Sequence, residues 1–342
     1  MLLPATQGMT DAGAADNAEE ATLARLREPV AAALALVEER LTTLVPDSVG
    51  GLAPVVYQQM LKAGGKRLRP LMTLLSCVAA GGDTDRAIGL AVAVEVLHLA
   101  SLIHDDVIDE AEQRRGKPSA RQQWGNRAAV LVGDFLVAEV FHSLAEELER
   151  KSLALLAQTV ADMCRAELVH SDSPAEVDEA TYRHNIQGKT AALIGTVCEA
   201  GALAAENEAA ATVLRDYGRK LGEAFQIADD LLDLYGEASV VGKPVRQDLR
   251  KGHWTLPIIY ALREGTPEQV QQLRQLLEQA QADEEAARQA ANLAEALGGR
   301  AYATQLAAEL VAQAQQTLMS LPPSLARERL GELADYVISR QR

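Results

Sequence analysis

The chain carries, twice, an arrangement of charge that folding alone does not favour. The stretch "LIHDDVIDEAEQRR", Leu102 to Arg115, sets Asp105, Asp106 and Asp109 behind an apolar run. "FQIADDLLDLYG" repeats the spacing with Asp229, Asp230 and Asp233. On a helix, residues i and i+4 share a face, so Asp105 sits above Asp109 and Asp229 above Asp233. Each like-charged pair costs about 0.2–0.5 kcal/mol. One copy reads equally well as a solvated helix end. Two copies of the same costly spacing point to a shared ligand that offsets the repulsion. Carboxylate oxygens suit a hard divalent cation such as Mg²⁺, which bridges a few acids to substrate phosphates. A chain built this way needs two helices whose acidic ends face one another.

The remaining pattern supplies helices and little else. Of 342 residues, 48% are hydrophobic but only 4% aromatic, and helix-period segments follow one another. Breaks fall at Pro46, "AGGKRLRP", "AAGGDTD", "RGKPS", "SDSPAEVD", "GKPVRQ", "EGTPEQ", "LGGR" and "LPPS". Thr266, Pro267 and Gln269 form a capping box with proline at the first helical position. Asp83 to Asp85 offer a cap before "AIGLAVAVEVLHLASLIHDD". Gly298 and Gly299 predict a helix stop. No strand-period run, dinucleotide-binding glycine signature or interdomain linker is visible. The expectation is all-α: a flexible acidic, Ala/Gly-rich tail over 1–22 and one large helical bundle over 23–342. "IGLAVAVEVLHLASLI" contains Glu95 and His98, so it reads as a buried central helix, with no membrane span expected.

Net charge is −15, which argues against nucleic acid as a partner. Cys77, Cys164 and Cys198 lie far apart, as reduced core residues of a cytoplasmic protein would. The tail "MLLPATQGMTDAGAADNAEE" lacks the basic start and apolar core of a secretory signal.

Local basic clusters stand out against that acidity. "GGKRLRP" presents Lys66, Arg67 and Arg69 where a helix begins, and helix N-termini favour anions. Arginine adds forked hydrogen bonds to phosphate, and lysine a point charge. Arg114 and Arg115 follow the first acidic motif. Lys189 and Thr190 lie in "GKT", and Lys243 follows the second motif; no Walker loop is present. His98 and Gln226 precede the two acidic motifs. Carboxylates for Mg²⁺, two basic sets and apolar helix walls fit two diphosphates and a greasy substrate.

From about Val55 to the C-terminus the chain resembles the trans-isoprenyl diphosphate synthases, in particular their octaprenyl and solanesyl branch. "GGKRLRP", "LHLASLIHDDVIDEAEQRRGKPS", "WGNRAAVLVGDFL", "GKTAAL", "FQIADDLLDLYG", "GKPVRQDLRKG" and "TLPIIYAL" occur in the family's order. The resemblance implies an all-α homodimer with a central apolar cavity in each subunit's bundle. It implies Asp105, Asp106, Asp109, Asp229, Asp230 and Asp233 around Mg²⁺, three ions when substrate is bound. It assigns Arg114, Lys189 and Lys243 to the allylic diphosphate, farnesyl or geranylgeranyl. Lys66, Arg69, His98 and Arg115 match the isopentenyl diphosphate site, and Thr190 and Gln226 the neighbourhood of the developing cation. The released diphosphate would take the proton. Two positions depart from the pattern: His253 stands where many members have lysine, and Arg246 where glycine is frequent.

Small residues one turn before Asp105, Ala100 and Ser101, leave room for a growing tail about 5.4 Å deeper. A product of C35–C50, with C40 as the working length and a quinone side chain as its use, is expected. Val137, Val140, Phe141 or Leu144 would form the floor. Competing readings are a short-chain farnesyl or geranylgeranyl synthase, a terpene cyclase or head-to-head condensing enzyme, a non-catalytic partner subunit, and a divalent-ion binding protein.

Overall fold

The computed structural model describes residues 8–170, 178–237 and 244–339, with side chains described from residue 18 onward and, before the first internal gap, as far as residue 168. The predicted break "SDSPAEVD" falls largely, and Lys243 wholly, outside the described residues. Helix makes up 80% of the structure and strand 1%, as expected of an all-α chain.

Sixteen α-helices are described: α1 Gly8–Arg27, α2 Ala31–Thr43, α3 Ala53–Lys62, α4 Leu68–Ala79, α5 Ile88–Ile108, α6 Ala120–Ser143, α7 Arg150–His170, α8 Glu179–Ile186, α9 Ala192–Ala204, α10 Glu208–Tyr235, α11 Gln247–Arg250, α12 Leu256–Glu264, α13 Pro267–Ala280, α14 Glu284–Ala296, α15 Gly299–Leu318 and α16 Leu325–Ser339. Their starts follow local chemistry. Ser119, Asp178, Asn207 and Asp283 each accept a hydrogen bond from a first-turn N–H. The Thr266–Gln269 capping box is formed, and Asp83 caps a short 3₁₀ turn before α5. Gly298 adopts φ 90° between α14 and α15, so the expected stop is also the next start.

The core is built around α4, α5, α9 and α10. Helix α10 packs against α9 and α15, and α4 against α9. A second apolar cluster, with Leu249, Ile258, Leu273 and Leu277, joins α11 to α14 beside the end of α10. Helix α5 is long and apolar enough to cross a membrane by composition, with mean hydropathy 1.5, yet 72% of that window is buried in the bundle.

Three features differ from the sequence reading. The stretch assigned to a tail over 1–22 is helical from Gly8 in α1, and its end packs down through buried Leu23 and Leu26. Cys164 is exposed on α7, whereas Cys77 and Cys198 are buried, and burial pushes their thiols to about 11 and about 12. "QRRGKP" forms a small hairpin, β1 Gln113–Arg114 and β2 Lys117–Pro118. Arg115 at φ 52° and Gly116 at φ 72° make its turn, both central residues being left-handed as a type I′ turn requires.

Candidate active site

The two acidic motifs end α5 and α10, and both open onto one cavity of about 700 Å³. Asp109 and Asp230 line it, together with Lys189, Thr190, Gln226, Lys251 and His253. Close helix contact creates this meeting. Gly222 on α10 lies against Ala191, where an added Cβ would fall 2.5 Å from the Ala191 backbone. That approach brings Thr190 and Gln226 within a 2.7 Å hydrogen bond. The "GKT" residues occupy a π-helical turn, Gln187–Ala191, between α8 and α9. Single π turns inside α-helices are frequent at functional sites.

Each carboxylate of the first motif faces a cation. Arg114 donates from Nε and Nη2 to Asp106 Oδ1, at 2.9 and 2.6 Å. Lys189 lies 3.5 Å from Asp105 and 2.7 Å from Glu167 on α7. Lys251 pairs with Asp109 at 3.1 Å. On α10, Asp230 accepts from the Tyr182 hydroxyl at 2.6 Å and from Gln226 Nε2 at 2.9 Å. Asp229 is half-buried beside it. Asp233 accepts the backbone N–H groups of Gln247 and Asp248, each at 3.1 Å, and so caps α11.

Burial outweighs those pairs. Burial raises the Asp105 and Asp106 carboxyls against the pull of Lys189 and Arg114. Burial, then the charge of Asp248, drives Asp230 well above the usual carboxylate range. At Lys189, burial pulls downward, but Asp105 and Glu167 outweigh it and hold the ammonium above its usual range.

The donor set suits a hard divalent ion. Asp106 Oδ2 is buried and accepts no hydrogen bond, and every candidate ligand is a carboxylate oxygen. Among the described residues no three acids converge on one point. Arg114, Lys189 and Lys251 pair instead with Asp106, Asp105 and Asp109 one by one.

The second basic set gathers at the start of α4 and the hairpin. The Arg115 guanidinium packs on Gly65, whose added Cβ would meet it at 3.0 Å. His98 is held well below the usual imidazole range, first by burial and then by Arg69, Arg115, Arg114 and Arg67. The neutral ring can both donate and accept. Arg67 faces inward instead: it donates to Glu38 at 2.6 Å and to Glu95 at 3.0 Å. Arg67 is therefore held by two carboxylates of the protein, of which Glu95 is buried.

Helices α5 and α6 run antiparallel in a register that contacts define. Gly89 meets Glu147 and Leu148, and Gly133 meets His104. The same register sets Ala100 level with Val137, and Phe141 one turn deeper. Ala100 is buried, Ser101 donates to the His98 carbonyl at 2.9 Å, and Val137 and Phe141 are partly buried against the core.

Tyr182, Glu167 and Lys251 escaped the sequence reading. Lys251 lies within "GKPVRQDLRKG" and Tyr182 two turns before Lys189, so position relative to the motifs was the available signal. Arg246 adopts φ 57°, a left-handed conformation that glycine takes without strain. His253 lines the cavity.

A family model described as polyprenyl synthetase matches residues 53–294. The chain belongs to that family, whose members are prenyltransferases. It is 35% identical over 315 residues to a short chain isoprenyl diphosphate synthase of Methanothermobacter thermautotrophicus, covering 90% of this chain and 96% of that one. It is 40% identical over 286 residues to the nonaprenyl diphosphate synthase of Mycobacterium tuberculosis, covering 82% and 84%. A polyprenyl synthase of Caulobacter crescentus, solved with calcium and isoprenyl diphosphate, superposes with TM-score 0.88 at 36% identity, covering 94% and 98%.

Proposed function

We propose that the enzyme condenses isopentenyl diphosphate onto an allylic diphosphate, farnesyl or geranylgeranyl, to make an all-trans polyprenyl diphosphate in the C35–C50 range. The observation that carries this reading is the opening of both acidic helix ends onto one cavity lined by Lys189, Thr190 and Gln226. A separate basic cluster lies around His98.

In this reading Asp105, Asp106, Asp109, Asp229, Asp230 and Asp233 hold Mg²⁺, three ions when substrate is bound. When bound, such ions neutralise charge building on the departing diphosphate. Lys189, Arg114 and Lys243 bind the allylic diphosphate, and Lys251 joins them at the cavity wall. Lys189 and Lys251 already pair with Asp105 and Asp109, so entry of the anion exchanges a carboxylate partner for a phosphate one. Thr190 and Gln226, joined by a 2.7 Å hydrogen bond, lie near the carbon that becomes cationic. Tyr182 and Gln226 together fix the Asp230 carboxylate. Lys66, Arg69, His98 and Arg115 bind isopentenyl diphosphate, whose double bond attacks the allylic carbon as its C–O bond breaks. The lost proton passes to the released diphosphate, so no side-chain base is needed.

The relatives include both a short-chain and a nonaprenyl synthase. Cavity depth therefore has to decide product length. Small Ala100 and Ser101, level with Val137 above Phe141, favour a long product, with C40 as the working length and a quinone side chain as its use. A cytoplasmic homodimer fits the reading, and Leu131, 57% exposed on α6, offers apolar surface for it. The test is turnover of Asp105→Asn and Asp229→Asn at limiting Mg²⁺. Both should lose activity by orders of magnitude with helical content intact, and near-normal turnover in both would overturn the site.

A further inference from the structure

Lys66 is already occupied by an anion of the protein. Its ammonium is ion-paired with the Glu19 carboxylate on α1. It also lies 5.5 Å from the ring centroid of Tyr336 on α16. The Tyr336 hydroxyl donates to Glu19 Oε1 at 2.5 Å, so one carboxylate oxygen serves both groups. Arg27 Nη2 donates to the Lys66 carbonyl at 2.9 Å, tying the loop to the end of α1.

The place of Glu19 is set by packed helices. Leu23 and Leu26, one and two turns further on, are buried. Arg25 pairs with Glu332 at 3.2 Å, and Arg329 with Glu28 at 3.2 Å, clamping the α1 end to α16. Lys66 adjoins Gly65, on which Arg115 packs, and Arg115 in turn acts on His98. Within this basic cluster Glu38 and Glu95 are committed to Arg67, and Asp106 to Arg114. Glu19 supplies the carboxylate on Lys66, and its oxygen stands where a phosphate oxygen would bind an ammonium. Both Glu19 and Tyr336 lie outside the residues 53–294 that define the family match.

We propose that Glu19 is a built-in counter-ion of the isopentenyl diphosphate site: α1 holds its carboxylate on Lys66, the entering diphosphate displaces it, and this exchange sets the affinity for that substrate. The inference rests on the assignment of Lys66 made under the proposed function. Displacement frees Glu19 to keep its bond from Tyr336, so α1 need not unfold for substrate to enter.

Glu19→Gln removes the charge and keeps an acceptor for Tyr336. Two readouts are needed: KM for isopentenyl and farnesyl diphosphates, and calorimetric affinity for inorganic diphosphate in EDTA. The variant should bind isopentenyl diphosphate and inorganic diphosphate about two- to fivefold more tightly, the range a partly exposed ion pair supports. KM for farnesyl diphosphate should not move. In a Lys66→Ala background the same substitution should have no further effect. Unchanged or weaker affinity in Glu19→Gln, or the same tightening persisting without Lys66, overturns the proposal. Absence of any prenyl product from the wild type would instead refute the function, and the calorimetry would still decide the role of Glu19.

Discussion

Arg67 separates a structural cation from the substrate-binding ones, and its removal should show as lost stability. Its side chain is 11% exposed and Glu95, its partner at 3.0 Å, is 5% exposed. Glu38, the other partner, is 46% exposed and stays hydrated when released. Arg67→Met therefore strands one buried carboxylate, Glu95. Breaking a buried pair by removing one partner costs about 3–5 kcal/mol. Arg115 also acts on Glu95's side of the cluster, so the low end, about 3 kcal/mol, is expected. In a chain of 342 residues that lowers the Tm by roughly 4 °C. The assay is thermal unfolding followed by circular dichroism. Arg67→Met combined with Glu95→Gln should recover most of the loss, since the orphaned charge is gone. A Tm within about 2 °C of the wild type, joined to a large rise in KM for isopentenyl diphosphate, would show that Arg67 binds substrate and refute the reasoning.

Other outcomes follow from the same geometry. Asp230→Asn should abolish turnover but raise the Tm of the metal-free protein at neutral pH. The folded carboxyl titrates well above its unfolded value, so its ionisation costs stability that grows as pH rises above about 4. Thermal unfolding at pH 5 and pH 8 checks this, and the wild type should lose more on going to pH 8 than the variant does. Arg69→Ala should weaken isopentenyl diphosphate more than farnesyl diphosphate in steady-state kinetics; equal effects would merge the two basic sites. Arg246→Gly should stabilise by about 1 kcal/mol in denaturant unfolding, because the left-handed position is free of strain for glycine. Ala100→Phe should shorten the products seen by chromatography; retained activity with an unchanged length distribution would take this position out of the tunnel wall.

The helices were legible because most alternate a core face with a solvent face, and several begin at a side-chain cap. Thr266 and Gln269 close their capping box as their spacing requires. The acidic motifs stood out because they break the rule that buried faces are apolar. What sequence did not reveal are contacts made only by folding. Tyr182 reaches Asp230 across 48 positions, and no local pattern marks that pair. Arg67 and Arg69 are two residues apart in one basic motif, and only packing against Glu38 and Glu95 turns the first inward. The helical start of the chain was missed for a related reason. Its composition is that of a tail, and what anchors it, Leu23, Leu26 and the bond from Tyr336 to Glu19, depends on α16 at the far end of the sequence.

The central claim is that two acidic helix ends and two basic sets form one site that joins isopentenyl units to an allylic primer. The direct measurement is incubation of the pure protein with Mg²⁺, labelled isopentenyl diphosphate and farnesyl diphosphate, followed by chromatographic sizing of the dephosphorylated products. The account predicts label in C35–C50 all-trans polyprenols, centred on C40, and none when EDTA is added. Label that never enters a prenyl chain, or product that forms equally well without divalent ions, would contradict it.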